Sequence, residues 1–355
     1  MKILFVISSL GKGGAERVLQ VLANKFVKEN EVKIIKFDDF EPFYKFDENI
    51  EIINLNLGTQ NLGFFGNISK RFNKIFALRN ELKKSDADIV ISFLDNTNIL
   101  SILANIGIKK KLIITEHINY NFLRGFWRIL RCFTYPYANG LTVLTKYDYE
   151  RYTYVENRTI MPNPMFEITQ NSEFKKENVI IAPGRLIKHK AFDIFLYALK
   201  KVDKELLKNW RVIIAGDGDE RENLQNLAKY LNLDVHFAGF VKNIDEYYKK
   251  SKIVVVTSRA EGFCNILMES IYFNIARIST DCIAGPSELI KDGFDGFLCE
   301  VDNVNQIAQK LQILMQDENL QNDFVKNANL RRDDYSIDTI SQKWLKFINL
   351  TLDKK

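Results

Sequence analysis

The chain has 355 residues, of which 46% are hydrophobic and 27% are charged, and its formal net charge is +5. These values are typical of a globular protein with room for two ordinary domains, and they argue against disorder over most of the length. Apolar runs such as residues 3–7 are too short for a signal-peptide core or a spanning helix, so we expect neither.

Cysteine and histidine usage bears on metals and on redox compartment. The four cysteines show no paired or metal-ligand spacing, and only three histidines are available to complete a metal site. We therefore predict reduced structural thiols, no metal site and a cytoplasmic protein.

The excess positive charge lies in the N-terminal half. Residues 1–180 carry 25 basic and 20 acidic side chains, whereas residues 181–355 carry 25 of each. Between residues 70 and 131 there are 12 basic and 5 acidic side chains. This local excess indicates an anionic partner such as lipid headgroups, a diphosphate or nucleic acid. Because no RNA- or DNA-binding signature accompanies it, we do not expect nucleic acid.

The N-terminus reads as the opening of a Rossmann-like unit. A buried strand is predicted over residues 2–7, and a helix over residues 15–26 follows a loop that contains Gly13 and Gly14. Glycines there allow the backbone to approach a phosphate or a sugar at the helix N-terminus. The spacing fits neither G-x-G-x-x-G nor a P-loop, so this loop alone does not predict nucleotide binding.

Four further strands are predicted in this half, over residues 32–37, 51–55, 87–93 and 111–115. Glu116 and His117 follow the last of them. His117 therefore lies at the carboxyl edge of a strand, where it is either a ligand contact or a structural residue.

An amphipathic helix is predicted over residues 67–84. Its apolar face consists of Ile68, Phe72, Ile75 and Phe76. Its opposite, basic face consists of Lys70, Arg71 and Lys74. Two interpretations remain open: a core-packed helix with a solvated basic face, or a surface that faces a membrane or a diphosphate.

The stretch 122–133 interleaves aromatic residues with arginines at helical spacing. The arginines are Arg124, Arg128 and Arg131, and Phe126 and Trp127 flank them. Such a helix suits a membrane interface, but an ordinary half-buried helix has the same pattern.

Residues 161–178, with two prolines and a polar run, are the predicted linker. Beyond it, strands are predicted over residues 179–182, 210–215, 235–238, 253–256 and 276–280. Helices are predicted over residues 191–200, 220–230, 245–250, 265–273, 306–315 and 338–352. The pattern indicates two doubly wound α/β domains, residues 1–160 and 179–335, and a C-terminal helical segment, residues 336–355, that could cross back to the first.

Two carboxylates mark the unit around strand 253–256. Glu261 lies in the loop after this strand, and Glu269 lies in the following helix. Across one strand–loop–helix turn both could face a single polyhydroxylated ligand. The alternative is a solvated loop residue and an ordinary surface helix position.

Asp217 and Asp219 form an Asp-x-Asp that could hold a divalent cation on a diphosphate. They follow a strand, and Asp217 lies between Gly216 and Gly218, so a turn that requires Gly and Asp is the favoured interpretation.

Four motifs at strand ends together resemble the family-4 retaining glycosyltransferases of the GT-B fold. They are Gly13-Gly-Ala-Glu16, Glu116-His117, Gly184-Arg185 with Lys190, and Glu261 with Glu269. With the Asp-Gly-x-x-Gly turn of residues 292–296, the resemblance covers almost the whole chain. It implies two Rossmann-like doubly wound parallel-sheet domains that face a cleft. Residues 13–17, 91–98 and 115–117 are similar to the N-acetylgalactosaminyltransferases that extend lipid-linked oligosaccharides for bacterial protein N-glycosylation.

The resemblance implies catalytic roles for four residues, Arg185, Lys190, Glu261 and His117. Arg185 and Lys190 would neutralise the departing diphosphate, Arg by bidentate contact and Lys as a point charge. Glu261 would hold the hydroxyls of the donor sugar, and His117 would approach that sugar from the facing domain.

Donor binding is implied for Gly13, Gly14, Gly184, Phe263, Cys264, Asn265 and Glu269. Glu269 would hold the ribose hydroxyls of the nucleotide. Cys264 departs from the proline or small residue that the family often has after Glu-Gly-Phe, which bears on the preference for the donor sugar.

The resemblance thus implies a retaining, metal-independent transferase without a cofactor. It would move N-acetylgalactosamine or another hexosamine or hexose from a nucleotide sugar, with UDP as the expected nucleotide, to a polyprenyl-diphosphate-linked glycan. The protein would bind peripherally to an anionic membrane surface, at the inner face of the cytoplasmic membrane. The residues expected there are Lys70, Arg71, Lys74, Arg124, Trp127, Arg128 and Arg131. The alternatives are an acceptor from capsule or lipopolysaccharide, a soluble acceptor, and a non-catalytic nucleotide- or lipid-binding module.

Overall fold

The chain divides into two compact units, each built on one parallel sheet. The computed structural model describes residues 1–58, 63–165 and 175–354, with the backbone alone for residues 63–68. Unit 1 comprises Met1–Phe166 and Tyr335–Lys355, and unit 2 comprises Glu167–Asp334. Residues 166–174 of the predicted linker lie outside the described residues.

Seven strands form the sheet of unit 1. They are β1 (Lys2–Ile7), β2 (Glu31–Lys36), β3 (Glu51–Asn54), β4 (Ile89–Phe93), β5 (Leu112–Thr115), β6 (Gly140–Val143) and β7 (Arg158–Ile160). All neighbouring strands are parallel, in the order β3-β2-β1-β4-β5-β6-β7. Strands β4, β5 and β6 are buried at every position, as expected for a sheet that is covered on both faces.

The helices of unit 1 connect these strands. They are α1 (Gly14–Phe26), α2 (Gly63–Lys84), α3 (Asp95–Asn105), α4 (Gly125–Thr134), which runs on into a 3-10 turn (Tyr135–Tyr137), and α5 (Lys146–Tyr149).

Six strands form the sheet of unit 2. They are β8 (Glu177–Pro183), β9 (Arg211–Ala215), β10 (Val235–Gly239), β11 (Ser251–Val256), β12 (Ala276–Thr280) and β13 (Phe297–Cys299). These strands are also all parallel, in the order β10-β9-β8-β11-β12-β13.

The helices of unit 2 begin with a 3-10 turn, Lys188–Lys190. They are α6 (Phe192–Lys201), α7 (Lys204–Leu207), α8 (Arg221–Tyr230), α9 (Asp245–Lys250), α10 (Asn265–Tyr272), α11 (Pro286–Leu289), α12 (Val304–Gln316) and α13 (Glu318–Asn329). A second 3-10 turn, Arg332–Tyr335, leads to the last helix, α14 (Ile337–Asp353).

Helix α14 is part of unit 1. Its apolar face places Ile340, Trp344 and Ile348 in the same buried cluster as Phe5 of β1 and Leu19 of α1. Serine 336 caps the helix, since its side chain accepts a hydrogen bond from the backbone N–H of residue 339. The last segment of the chain therefore completes the core that the first segment begins.

The fold class predicted from the sequence is confirmed: each unit is a doubly wound parallel sheet with helices between the strands. The short strands β6, β7 and β13 were missing from the prediction, since runs of three or four residues carry little periodicity. Among the described residues, no helix combines the length and the apolar character that a membrane crossing requires.

Candidate functional site

The candidate site of unit 2 lies where the strand order reverses. Strand β8 lies between β9 and β11. The connection after β8 therefore runs to one side, towards β9, and the connection after β11 runs to the other, towards β12. Gly184 and Arg185 directly follow β8, and Glu261 lies in the loop after β11. Ligands of open α/β sheets bind at such a switch point, because the two loops part and leave a crevice.

The loop after β8 is supported by the loop after β9. The N–H of Gly184 donates to the carbonyl oxygen of Ala215 at 2.9 Å, and the N–H of Leu186 donates to that of Asp217 at 2.9 Å. A Cβ atom on Gly216 would collide with the carbonyl oxygen of Gly184. Residue 216 must therefore be glycine for the two loops to touch.

Asp217 is engaged within this turn. Its Oδ1 accepts from the N–H of Gly218 at 2.9 Å, and its Oδ2 accepts from Arg221 at 3.1 Å. Both oxygens thus serve the local structure, which supports the turn interpretation of the Asp-x-Asp. Across residues 1–58, 63–165 and 175–354, no group of three or more His, Cys, Asp or Glu side chains is placed to hold a metal ion.

Arg185 and Lys190 have different surroundings. Arg185 is exposed, and its guanidinium has no hydrogen bond or ion pair with any described residue. The Lys190 side chain is only 15% exposed, and its Nζ lies 2.6 Å from Oε1 and 2.8 Å from Oε2 of Glu261. One cation is therefore available to an anionic ligand, and the other is held by a carboxylate.

Neighbouring hydrogen bonds fix the ion pair of Lys190 and Glu261. The Ser258 hydroxyl donates to Glu261 Oε1 at 2.5 Å, and Thr257 Oγ1 donates to the carbonyl oxygen of Ala191 at 2.8 Å. These contacts join the loop after β11 to the 3-10 turn that carries Lys190. The alternative in which Glu261 is a solvated loop residue is wrong, because its side chain is 9% exposed.

Helix α10 begins directly after this loop. Its N-cap, Cys264, has a left-handed backbone (φ 62°), and both Phe263 and Cys264 are buried. Burial raises the pKa of the Cys264 thiol well above its usual value, so this cysteine is a packing residue and not a nucleophile. Asn265 is the first residue of the helix, and the backbone amides of a helix N-terminus favour an anionic group.

Glu269 lies in the second turn of α10 and is buried, with 8% of its surface exposed. Its Oε2 accepts a hydrogen bond from the Tyr248 hydroxyl at 2.9 Å. The alternative in which Glu269 is an ordinary surface position is therefore wrong. Tyr248 is a contact that the sequence patterns did not reveal.

Gly13, Gly14 and His117 lie in unit 1. Gly13 precedes α1 as its N-cap, Gly14 is its first residue, and the Glu16 carboxylate folds back so closely that a Cβ on Gly13 would collide with it. The His117 ring stacks on Phe93, with 5.1 Å between ring centroids. Burial lowers the pKa of His117 to about 4, while Asn163 acts in the opposite direction. His117 is therefore neutral at physiological pH.

A buried polar cluster precedes His117, and it was missing from the sequence prediction. Asn98 of α3 donates to Glu116 Oε1 at 3.1 Å, and the Tyr135 hydroxyl donates to the same oxygen. Burial raises the pKa of Glu116 to about 8, with the nearby Asp95 as the second cause. The backbone at the end of β5 is thus tied to α3 and to the turn after α4.

Arg131, predicted to lie at a membrane surface, is instead buried, with 1% of its surface exposed. Its guanidinium lies 4.1 Å from the ring centroid of Tyr120 and 5.1 Å from that of Tyr152, and it donates to the Tyr152 hydroxyl at 3.1 Å. Arg131 thus packs against Tyr120 and Tyr152 in the core, although Arg128, one turn earlier on α4, is exposed.

The other predicted basic residues lie nearer the surface. Arg124 and Arg128 are exposed. The Arg71 guanidinium lies 4.5 Å from the Trp127 ring centroid, so helices α2 and α4 are neighbours. Lys74 is partly buried with its Nζ 5.2 Å from the ring of Phe37, and burial lowers its pKa.

Helices α2 and α4 expose large apolar side chains, which the interpretation of α2 as a core-packed helix does not account for. On α2, Phe72 and Phe76 are exposed, while only Ile75 of the described apolar face packs inwards; the side chain of Ile68 lies outside the described residues. Around α4, five large apolar side chains are 57% to 75% exposed: Phe122, Phe126, Ile129, Phe133 and Tyr137. We call these seven exposed residues the apolar surface of unit 1. Phe126, Ile129 and Phe133 recur at helical spacing and therefore share one face of α4, and an exposed apolar face of this kind is typical of a binding surface.

Two family models match the chain. The model of the glycosyl transferases group 1 matches residues 165–331, and the model of glycosyltransferase family 4 matches residues 12–157. Both matches agree with the predicted resemblance, one in each unit.

Curated relatives align over nearly the whole chain. The chain is 42% identical to a Campylobacter jejuni GalNAc-α-(1→4)-GalNAc-α-(1→3)-diNAcBac-PP-undecaprenol α-1,4-N-acetyl-D-galactosaminyltransferase, with 98% of each chain covered. It is 28% identical to another C. jejuni enzyme, an N-acetylgalactosamine-N,N′-diacetylbacillosaminyl-diphospho-undecaprenol 4-α-N-acetylgalactosaminyltransferase, with 98% of this chain and 99% of the relative covered. It is 27% identical to the amylovoran biosynthesis glycosyltransferase AmsD of Erwinia amylovora, over 98% and 99% of the two chains.

Solved structures share the fold. Anabaena HepE in complex with UDP and glucose superposes with a TM-score of 0.80 at 18% identity, over 99% of this chain and 100% of that one. S. aureus TarM, in a complex that includes UDP, superposes with a TM-score of 0.78 at 17% identity, over 98% and 99%. At such identities the likeness shows the fold alone, and the predicted GT-B class is confirmed.

The depressed pKa of His117 predicts a pH-dependent contribution to stability. As the pH falls from about 6.5 towards 4, the unfolded histidine takes up a proton before the folded one, so stability is lost in this window. Between pH 7 and pH 4 both proteins should lose unfolding free energy. We expect the loss in His117→Gln to be smaller than that in the parent protein by up to about 3 kcal/mol, measured by denaturant titration.

The matched control is His236→Gln, since His236 is exposed on β10. Its loss of stability on acidification should follow that of the parent protein. Parallel pH profiles for the parent and His117→Gln would show that His117 titrates in the folded state as it does in the unfolded state.

Proposed function

The chain belongs to the group 1 and family 4 glycosyltransferases, and we propose that it transfers N-acetylgalactosamine from a UDP-linked donor to a polyprenyl-diphosphate-linked glycan, with retention of anomeric configuration. The 42% identity to the C. jejuni enzyme, over 98% of both chains, carries this proposal. The reaction takes place at the inner face of the cytoplasmic membrane, to which the protein binds peripherally.

The chemistry at the diphosphate rests on Arg185 and Lys190. A departing nucleoside diphosphate accumulates negative charge, and fixed cations beside it lower the energy of the transition state. Arg185 is free to form a bidentate contact with phosphate oxygens. Lys190 is held in place by Glu261, so its ammonium needs little reorganisation when the charge develops.

The donor is bound by the loop after β11 and by α10. Glu261 holds the hydroxyls of the sugar while it keeps its contact with Lys190, and Glu269 holds the hydroxyls of the ribose. Phe263, Cys264 and Asn265 form the start of α10, whose amides favour phosphate. Residue 264 is buried at this position, so its side chain shapes the pocket through packing.

The membrane surface comprises the apolar surface of unit 1 and the basic residues beside it. Aromatic and aliphatic side chains with flanking arginines are the composition of helices that lie in a lipid interface. Lys70, Arg71, Lys74, Arg124 and Arg128 supply the attraction to anionic headgroups and to a lipid-linked diphosphate. The Arg71 guanidinium lies over the Trp127 ring, and this ring is partly buried against the core of unit 1.

A transfer assay tests the proposed reaction directly. With radiolabelled UDP-sugars and polyprenyl-diphosphate-linked glycans, we expect transfer from UDP-N-acetylgalactosamine and at least tenfold less from UDP-glucose. Because Arg185 and Lys190 supply the positive charge, transfer should persist in excess EDTA. Loss of transfer on chelation with recovery on adding Mn²⁺ would require a metal site. Transfer to none of the lipid-linked acceptors, with donor hydrolysis retained, would favour another acceptor, and the absence of both reactions would favour a non-catalytic module.

Removal of either cation should slow catalysis. We expect Arg185→Ala and Lys190→Ala each to reduce turnover by at least about 100-fold, the scale for loss of a transition-state contact. Their effects on stability should differ. Arg185 is exposed, so its removal should leave the melting temperature unchanged, whereas Lys190→Ala deprives a mostly buried carboxylate of its cation and should cost roughly 2–3 kcal/mol.

Lys188→Ala is the matched control, because Lys188 is an exposed lysine of the same 3-10 turn. Its turnover should remain within about twofold of the parent protein. Near-normal turnover in either test variant would remove that residue from the mechanism.

Vesicle binding tests the membrane surface. Each basic residue near an anionic bilayer contributes about 1 kcal/mol, screened by salt, so binding should weaken as salt rises. We expect Phe126→Ser/Ile129→Ser/Phe133→Ser to weaken vesicle binding at least tenfold at every salt concentration. We expect Lys70→Ser/Arg71→Ser/Lys74→Ser to flatten the salt dependence and to raise the KM for lipid-linked acceptor. Donor hydrolysis should be unchanged in both.

The control variant is Tyr230→Ser/Leu330→Ser, which removes exposed apolar side chains from unit 2. It should bind vesicles like the parent protein. Equal binding to neutral and anionic vesicles, together with an unaltered acceptor KM in the basic variant, would contradict a membrane-bound acceptor.

A further inference from the structure

Tyr248 is a buried tyrosine whose hydroxyl contacts a carboxylate of the donor site. It lies on α9, is 1% exposed, and donates to Glu269 Oε2 at 2.9 Å. Helix α9 precedes strand β11 in the chain and α10 follows it, so this hydrogen bond joins the two helices that flank one strand. Both partners are buried, which makes the bond stronger than an exposed one.

The position of Tyr248 is fixed from two sides. Its ring packs on Phe273, with 5.2 Å between the centroids. The Lys176 ammonium donates to the carbonyl oxygens of Tyr248 at 3.0 Å, Ser251 at 2.9 Å and Phe273 at 2.5 Å. One side chain thus links the carboxyl ends of α9 and α10, and burial lowers the pKa of this amine to about 7. The Tyr248 hydroxyl therefore has little freedom relative to Glu269.

We propose that Tyr248 is a positioning residue that sets the orientation of the Glu269 carboxylate for its hydrogen bonds to the ribose hydroxyls of the donor nucleotide. The inference rests on the proposed function, in which Glu269 binds ribose. A glutamate has three side-chain torsions, and the last of them rotates almost freely. A hydroxyl on Oε2 restricts this rotation and so fixes the direction in which the carboxylate presents its lone pairs. The pre-arranged carboxylate loses less entropy when it binds the ribose.

A purely structural role for Tyr248 makes a different prediction. If the hydroxyl only satisfied a buried carboxylate, its removal would lower stability and weaken every nucleotide equally. If it positions Glu269, its removal weakens ribonucleotides more than nucleotides without the 2′-hydroxyl. Discrimination between UDP and 2′-deoxy-UDP therefore separates the two roles.

The experiment compares UDP and 2′-deoxy-UDP binding to the full chain by isothermal titration calorimetry. Tyr248→Phe removes only the hydroxyl. We expect its Kd for UDP to rise about tenfold, the scale for one hydrogen bond to a charged group, and its Kd for 2′-deoxy-UDP to rise less than threefold. The KM for UDP-sugar should rise by the same factor as the Kd for UDP, with kcat within about twofold.

Two further variants complete the design. Tyr272→Phe is the matched control, because Tyr272 lies on α10 and its hydroxyl donates to the carbonyl oxygen of Arg332 at 2.8 Å. It should discriminate like the parent protein. Glu269→Gln should lose the same discrimination, and adding Tyr248→Phe to it should have no further effect on it, since both changes disrupt one contact.

The inference would be overturned if Tyr248→Phe discriminated between UDP and 2′-deoxy-UDP as the parent protein does, whether both nucleotides bind more weakly or neither does. Additive losses in the double variant would overturn it as well. These results leave the proposed function intact, because the parent protein would still bind UDP and transfer sugar. Failure of the parent protein to bind UDP would instead contradict the proposed function itself.

Discussion

The reversal of strand order beside β8 is the constraint on which the site of unit 2 depends. A parallel sheet sends every chain connection across one of its two faces, and in the sheet of unit 2 neighbouring loops leave in opposite directions between β8 and β11. The gap brings Gly184 and Arg185 from one strand near Glu261 from the next, and the ion pair of Lys190 and Glu261 then fixes the distance between the loops. The close contact between Gly216 and Gly184 fixes the position of the loop after β8.

Burial of polar residues distinguishes the two sides of this arrangement. Glu269 is almost fully buried and has Tyr248 as its hydrogen-bond donor, whereas Arg185 projects into solvent. A buried carboxylate keeps its orientation because its surroundings are dense, and an exposed guanidinium can adapt to a ligand that arrives. Unit 2 thus combines a rigid recognition group with an adaptable one, and the half-buried Lys190 is intermediate between them.

The sequence predicted the strands that are apolar throughout and the motifs at their ends, because burial on both faces and glycine-rich loops leave local signals. It did not predict which helical faces meet protein. Phe72 and Phe76 have the spacing of a core face and yet are exposed, while Arg131 continues an arginine stripe and yet is buried between two tyrosine rings. Periodicity identifies a face, but the identity of what covers it depends on residues distant in the chain. The cluster of Asn98, Glu116 and Tyr135 was missed for the same reason.

The position of α14 has a consequence for how the protein is made. Unit 1 draws Trp344 and Ile348 into the core that β1 and α1 begin, although all of unit 2 is translated between them. On the ribosome, unit 2 has its complete set of strands and helices before the last element of unit 1 emerges. Unit 2 can therefore fold during synthesis, while the apolar side chains of unit 1 that pack on α14 stay exposed to water until α14 has been translated. Chaperones that bind exposed apolar surface would accordingly act on the first half of the chain for longest.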